Sequence, residues 1–404
     1  MNLDFDLFDP QQTQNAWEFM RECRNRNPVA RIQGGFVLIS RYEDACLIFK
    51  DGETFSNEGG MRPTGTVVPT EDASIGELPN LIHPPLRKLA SIGAQGGGVM
   101  RKARPFVREC TERLLDAMIE RGSGDLIADY SLPLTNQVIA WLLGVPMEDS
   151  EQLAEWGEAI MRSTLTVTNE TERGIGYAGA FPEFTGYLES MIRERINNKD
   201  APEDTITRIV RTGLERGDLS IPIIRMVLLN LMLGGTATTR DFIGSLLLKL
   251  MRDPDLHRRL RADRALIPLA IEESLRLAPP VLWLTRICTR ETDVAGETIH
   301  VGERVVLSIA SANRDEEIWE DADAFRLDRQ RPAPHLSFGL GAHFCVGAPL
   351  ARMEGEEAIG VYLDRFAAGQ VHFKSGFELE MMPLPYMLGP LALDVEISRD
   401  PAKA

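Results

Sequence analysis

Apolar residues recur at three- and four-residue intervals over most of the chain, the spacing that gives a helix one buried face. The pattern predicts helices over 11–26, 41–50, 101–121, 133–143, 150–162, 178–197, 204–216, 222–250, 254–261, 265–277 and 347–367. Alternating or β-branched runs broken by Gly or Pro are confined to 29–40, 292–308 and 383–397, so the sheets are expected to be small. The expected class is mainly α with small β-sheets. No repeat and no long linker interrupts the pattern, which predicts one domain over residues 1–404. Two stretches carry no period, 55–82 and 311–344. Long irregular loops in compact proteins generally serve a function, and 55–82, rich in Gly, Pro and Thr, is expected to form a lid over a pocket.

Composition excludes several classes. With 60 acidic against 44 basic side chains the net charge is −16, the wrong sign for bulk nucleic-acid binding. A hydrophobic fraction of 44% supports a large core and excludes a disordered chain. The opening MNLDFDLFDPQQTQ reads as neither signal peptide nor membrane anchor, so a cytoplasmic protein with no membrane partner is expected. Cys23, Cys46, Cys110, Cys288 and Cys345 are an odd number without CxxC or CxxCH spacing. That argues against a disulfide framework, a zinc ribbon or covalently attached haem.

Cys345 stands apart from the other four, which suit buried core positions. It lies in Phe338-Gly339-Leu340-Gly341-Ala342-His343-Phe344-Cys345-Val346-Gly347, directly before an amphipathic helix. A helix N-terminus offers free N–H groups and a positive dipole end, which favour a thiolate. Glycines let backbone approach a flat partner closely, and a neighbouring histidine can reach an acidic substituent of it. The pattern FxxGxHxCxG resembles the haem-ligand loop of the cytochrome P450 family, and the chain is similar to its soluble bacterial members over essentially its whole length. The resemblance implies haem b (iron protoporphyrin IX) buried between a long central helix, 222–250, and the cysteine-loop helix. Cys345 is then the axial iron ligand, in a haem-thiolate loop over 338–347 that includes Phe338, Gly339 and Gly347.

Further motifs follow in the family's order. Glu273 and Arg276 stand three apart and share a helix face; alone, such a pair is usually a solvated ion pair. The resemblance joins them to Arg329 in a structural ion network that supports the haem loop. His83 and Arg87 in HPPLR, Arg286 in WLTRIC, and His343 match the family's partners for the haem propionates, carboxylates that need cations or donors in an interior. In the central helix, Gly234 and Gly235 interrupt the most apolar stretch and precede Thr236, Ala237, Thr238 and Thr239. On the residues alone this is a glycine-weakened helix whose threonines bond back to the preceding turn. The resemblance sets Thr238, flanked by Gly235 and Ala237, at the oxygen-activation position, and Ala237 stands where most members carry an acid. Protons could then arrive through waters or Asp241, or from a polar group of the substrate. Alternatively, the chain could be a reductase or peroxygenase working without ferredoxin, as the family's nitric-oxide reductases do.

The resemblance maps the substrate pocket to the 55–82 lid with Arg62, to Asn230, Leu233, Gly234, Val281, Leu282 and Leu284, and to the turn at Tyr386, Met387 and Leu388. The set is mainly apolar and suits a small to medium hydrophobic substrate. No flavin or iron–sulfur motif occurs in the chain. Electrons for O2 activation are therefore expected from a ferredoxin with its NAD(P)H-dependent reductase. Arg87, Lys88, Arg101, Lys102, Arg104 and Arg352 are expected to form a basic patch that steers this acidic partner. The expected activity is monooxygenation: hydroxylation, demethylation or epoxidation.

Overall fold

The structure, a computed structural model, describes residues 2–60, 69–79, 82–95, 98–165, 179–217, 220–329 and 334–398. The central helix runs Ile221–Gly235 and Ala237–Arg252, interrupted by a bend at Thr236, whose φ of −90° and ψ of −78° lie at the edge of the right-handed helical region. Ser220 caps its start and Pro222 occupies the first turn, where no intrahelical N–H is needed. Met226, Val227, Leu228 and Leu229 are all buried, so this half is enclosed on every side. Ile221–Arg252 is the one stretch among the described residues long and apolar enough to cross a bilayer; here it is the middle of the helical layer. Helices Leu132–Leu143 and Ile267–Leu277 pack beside it, and the cysteine-loop helix, Ala348–Arg365, lies across Val99–Arg121, Ala237–Arg252 and Ile267–Leu277.

One helix at the site, His83–Gln95, falls outside the expected periodic segments. Its opening His-Pro-Pro hides the period, yet proline is tolerated in a first turn, and Leu86, Leu89, Ala90 and Ala94 form a buried stripe.

The main sheet has six strands in the order Asn2–Leu3, Val29–Ile32, Phe36–Ile39, Arg304–Ser308, Trp283–Cys288 and Phe55–Ser56. Phe36 and Leu38 enter one apolar cluster while Val37 and Ile39 enter another, as side-chain alternation requires of a strand covered on both faces. Trp283–Cys288 was not among the expected strands; it pairs antiparallel with Arg304–Ser308, Trp283 opposite Ser308. The expected run 292–308 divides into Arg304–Ser308 and a hairpin, Thr292–Val294 with Glu297–Ile299. The run 383–397 supplies only Asp394–Ile397 as strand, because Pro383, Pro385 and Pro390 remove ladder donors before it.

Candidate functional site

The cysteine loop is built by close backbone approach. Gly341 has φ +73°, and a Cβ there would stand 2.8 Å from the Phe49 carbonyl oxygen, so a larger residue would push the loop off its neighbour. The Cys345 N–H donates to the Phe338 carbonyl at 2.8 Å, folding the loop over itself. Arg87 donates to the Phe344 carbonyl and Gln95 to that of Val346 at 2.6 Å, tying His83–Gln95 to the loop. Burial pushes the Cys345 thiol up, while the N–H groups of Gly347 and Ala348 and the charge of Arg87 act against it. The helix start thus helps a thiolate without outweighing burial; a bound metal displaces the remaining proton.

Beside the thiol, the rings of His83 and His343 stack with centroids 3.7 Å apart. The Nε2 atom of each is buried without a partner. Burial, then Arg87, pulls His83 down to about 4. Burial, His83, Arg286 and Arg87 together pull His343 down to about 3. Arg286, 5% exposed, is lowered by burial to about 10; it donates to the Thr285 carbonyl at 2.6 Å and lies over the Phe49 ring. Among the described residues no carboxylate offsets the burial of any of these three groups. Donors left in this condition fit a ligand that brings its own anions, as the propionates of haem do.

His83, Arg87, Arg286, His343 and Cys345 line a cavity of about 420 Å³, together with Ser74–Glu77, Asn230, Leu233, Gly234, Val281, Leu284 and Tyr386. A neighbouring space of about 290 Å³ shares Asn230, Gly234, Thr238, Val281, Leu284 and Cys345 and adds Gly235, Phe338, Gly339 and Gly347. The shared lining makes one slot between the central helix and the cysteine loop. The two central glycines differ in purpose. Nothing lies within 4 Å of where a Gly234 Cβ would be, whereas one on Gly235 would meet Ile139 at 2.2 Å. Gly234 therefore opens the slot, and Gly235 lets Leu132–Leu143 pack closely. The Thr238 hydroxyl donates back to the Gly234 carbonyl at 2.8 Å, as a helical threonine commonly does.

Ala237 faces elsewhere: with Thr236 and Arg240 it lines a separate cavity on the far side of the helix. Asp241 is fully buried, lines neither space, and accepts from Arg240 Nε at 2.7 Å. Burial raises it to about 6 against the pull of Arg240.

Several pocket expectations need correction. Leu282 and Leu388 join Phe5 and Trp283 in a core cluster and do not line the slot. Backbone bonds from Leu282 to the Tyr386 carbonyl and from Leu388 to the Pro280 carbonyl hold them there. Met387 borders the far-side cavity instead. Asn230 does line the slot, but its amide oxygen accepts from the Ser74 hydroxyl at 2.8 Å and the Ile75 N–H at 3.0 Å. It ties residues 74–75 to the central helix, five residues after Arg225, which bonds the Glu71 carbonyl at 3.1 Å. Arg62 lies outside the described residues.

Glu354 was not among the expected site residues. It lines the inner slot with both carboxyl oxygens buried and unpartnered, and burial raises it well above the usual range. A signal existed: it stands on the apolar face of its helix, with Leu350 one turn before it and Ala358 one turn after.

Beneath the loop, Glu273 accepts from Arg276 Nη2 and Arg329 Nε, both at 2.7 Å, and from the Arg326 N–H at 3.0 Å. Arg276 also bonds the carbonyls of Asn313, Ala322 and Ala324. Burial alone would raise the Glu273 carboxyl, but these bonds hold it below its ordinary value. A second cluster joins Glu272 to Arg352 at 2.7 Å and to His335 at 3.4 Å, with Arg352 over the Phe338 ring. The expected basic patch is trimmed accordingly. Arg352 is paired with Glu272, and Arg104 with Glu356 and Glu357; Lys88, Arg101 and Lys102 remain exposed.

A planar dianion bound at its centre through sulfur answers the orphaned imidazoles, the buried guanidinium, the thiol and the flat slot together, and the fold and site therefore define a haem-thiolate protein. The cytochrome P450 family model matches residues 6–380. The chain is 32% identical to the cyclomarin C epoxidase of Salinispora arenicola over 385 residues, 93% of this chain and 94% of that one. It is likewise 32% identical to a steroid C26-monooxygenase of Mycolicibacterium smegmatis over 341 residues, 84% and 82% of the two chains. Among solved structures, CYP109E1 of Bacillus megaterium in complex with testosterone superimposes with a TM-score of 0.85 at 28% identity, covering 96% of this chain and 99% of that one. P450BioI in complex with an acyl carrier protein ligated to hexadec-9Z-enoic acid gives 0.84 at 27% identity, covering 96% and 100%. The chain belongs to the cytochrome P450 family; it is a haem b oxidoreductase of the monooxygenase type.

Proposed function

We propose that this enzyme inserts one oxygen atom from O2 into a small to medium hydrophobic substrate, by hydroxylation, demethylation or epoxidation, with electrons from an external ferredoxin and its NAD(P)H-dependent reductase in the cytoplasm. The observation that carries the reading is the apolar slot that joins Cys345 to Thr238, roofed by the lid and Leu233, Val281 and Leu284. Bound haem, ligated through Cys345, supplies the redox chemistry that consumes two electrons and two protons, leaving one oxygen atom in product and one in water. His83, Arg87, Arg286 and His343 would hold its propionates, and the Glu273–Arg276–Arg329 network would keep the loop in place beneath it. The apolar lining excludes water from around the substrate. Thr238 brings a hydroxyl to the slot beside Gly234 and can pass a proton there. The relatives named above include a cyclomarin C epoxidase, a steroid C26-monooxygenase and a P450 bound to an acyl carrier protein ligated to hexadec-9Z-enoic acid, so common ancestry alone selects no single substrate. With no flavin or cluster motif in the chain, Lys88, Arg101 and Lys102 give an acidic ferredoxin a surface to meet.

Ala237 favours a second reading, a nitric-oxide-reductase-like or peroxygenase enzyme independent of ferredoxin, because no carboxyl adjoins Thr238 in sequence. Reconstitution separates the two. Product formation that requires ferredoxin, slows with rising salt and loses coupling to electron supply in Thr238→Ala supports the first. Consumption of nitric oxide with NADH alone, or peroxide-driven turnover without ferredoxin, overturns it.

A further inference from the structure

The cavity behind the central helix holds about 320 Å³, far more than one water needs. Its mouth carries Glu151, Glu155 and Glu158, all exposed. Its interior is polar in a particular way. Asn136, 9% exposed, and Arg240, 6% exposed, both line it, and Asn136 Oδ1 and Arg240 Nη2 are buried without partners. Asp241 clamps Arg240 through Nε, leaving Nη2 for the cavity. A buried donor and acceptor facing a space of this size are normally satisfied by water. The inner end of the cavity is Thr236 and Ala237, the bend itself, while Gly235 and Thr238 of the same turn face the haem slot.

The geometry points to a water-filled proton inlet through the bend at Thr236, entered between Glu151, Glu155 and Glu158 and held open by Asn136 and Arg240, that serves Thr238 in place of an acid at Ala237. The inference rests on the monooxygenase reading. Each water passes one proton inward as it takes one from behind, so the chain of waters is unchanged after a cycle. The net flow is two protons per turnover, drawn from solvent and carried away in the product water. Arg240 stays charged throughout and acts as a positioning residue. Asp241, enclosed against Gly389 where even a Cβ would stand 2.5 Å away, anchors it.

Two substitutions test this, Ala154→Phe, which fills the cavity from the facing helix, and Asn136→Leu, which removes the buried acceptor. In each, product formation should fall about tenfold and its solvent deuterium isotope effect should rise, with substrate affinity from the Soret shift unchanged. A crystal of the wild-type protein should show ordered water on Asn136 and Arg240 and no xenon uptake there. Unchanged turnover and isotope effect in both variants, or a dry cavity that takes up xenon, overturns the inlet. Failure of the monooxygenase reading looks different: no product from O2 with any electron source in the wild type, whatever the cavity contains.

Discussion

Below the haem slot, Glu273, Arg276 and Arg329 are each at most 6% exposed at their side chains and share bonds with six backbone groups. Above it, among the described residues, the 69–79 roof is tied to the central helix by neutral bonds to the Asn230 amide and by a guanidinium bond from Arg225 to a backbone carbonyl. The floor must hold a thiol within reach of one metal atom, and a fully bonded ion network fixes geometry at the expense of desolvation. The roof closes the outer cavity through Ser74–Glu77, and bonds of ordinary strength can break and re-form. Rigidity is concentrated beneath the thiol and relaxed above the slot.

The largest expected effect comes from the floor. Glu273→Gln leaves Arg276 and Arg329 buried without their counter-charge, and breaking such a pair costs about 3–5 kcal/mol. Chemical denaturation should record that loss, with haem released earlier than the chain unfolds. A loss under about 1 kcal/mol with haem retained would show the floor to be no stiffer than a surface ion pair, and the comparison would collapse.

The roof should respond more weakly and in another observable. Asn230→Leu strands the Ser74 hydroxyl and Ile75 N–H, a penalty of about 1–3 kcal/mol confined to the lid. Limited proteolysis within residues 69–79 should accelerate and substrate should dissociate faster, while global stability and haem content hold. Equal losses of haem from this variant and from Glu273→Gln would mean that the lid is part of the haem scaffold.

The same contrast explains what could be read from sequence. Floor residues sit in short motifs, Glu273 with Arg276 and His343 with Cys345, whose spacing is itself the geometry. The remaining partner, Arg329, was assigned through the family's order. The roof and pocket walls are assembled over long range. Leu282 and Leu388 look like lining residues until backbone bonds to Tyr386 and Pro280 draw them into the core. Asn230 looks like a substrate contact until Ser74, 156 residues away, occupies it. Charge is equally opaque: Arg104 and Arg352 read as a docking patch only while Glu356, Glu357 and Glu272 are unseen. The helical framework was legible because apolar period is local; the strand Trp283–Cys288 was not, because it exists through its pairing with Arg304–Ser308.

The weakest response is expected at the margin of the floor. Glu272 belongs to the floor but its partner Arg352 is 35% exposed at the side chain, intermediate between the buried network and a solvated pair. Burial would raise its carboxyl, yet bonds from His335 and Arg352 hold it down to about 2 from an ordinary 4.5. A folded value below the unfolded one means the unfolded chain binds the extra proton first. The stabilisation is therefore complete above about pH 4.5 and fades as pH falls toward 2. Solvent screening limits it to about 1 kcal/mol. Glu272→Gln should flatten the acid limb of the stability curve between those pH values, whereas Asn230→Leu should shift the curve without changing that slope. An acid limb in Glu272→Gln as steep as that of the wild type would remove Glu272 from the floor and leave Glu273 as the carboxylate that anchors it.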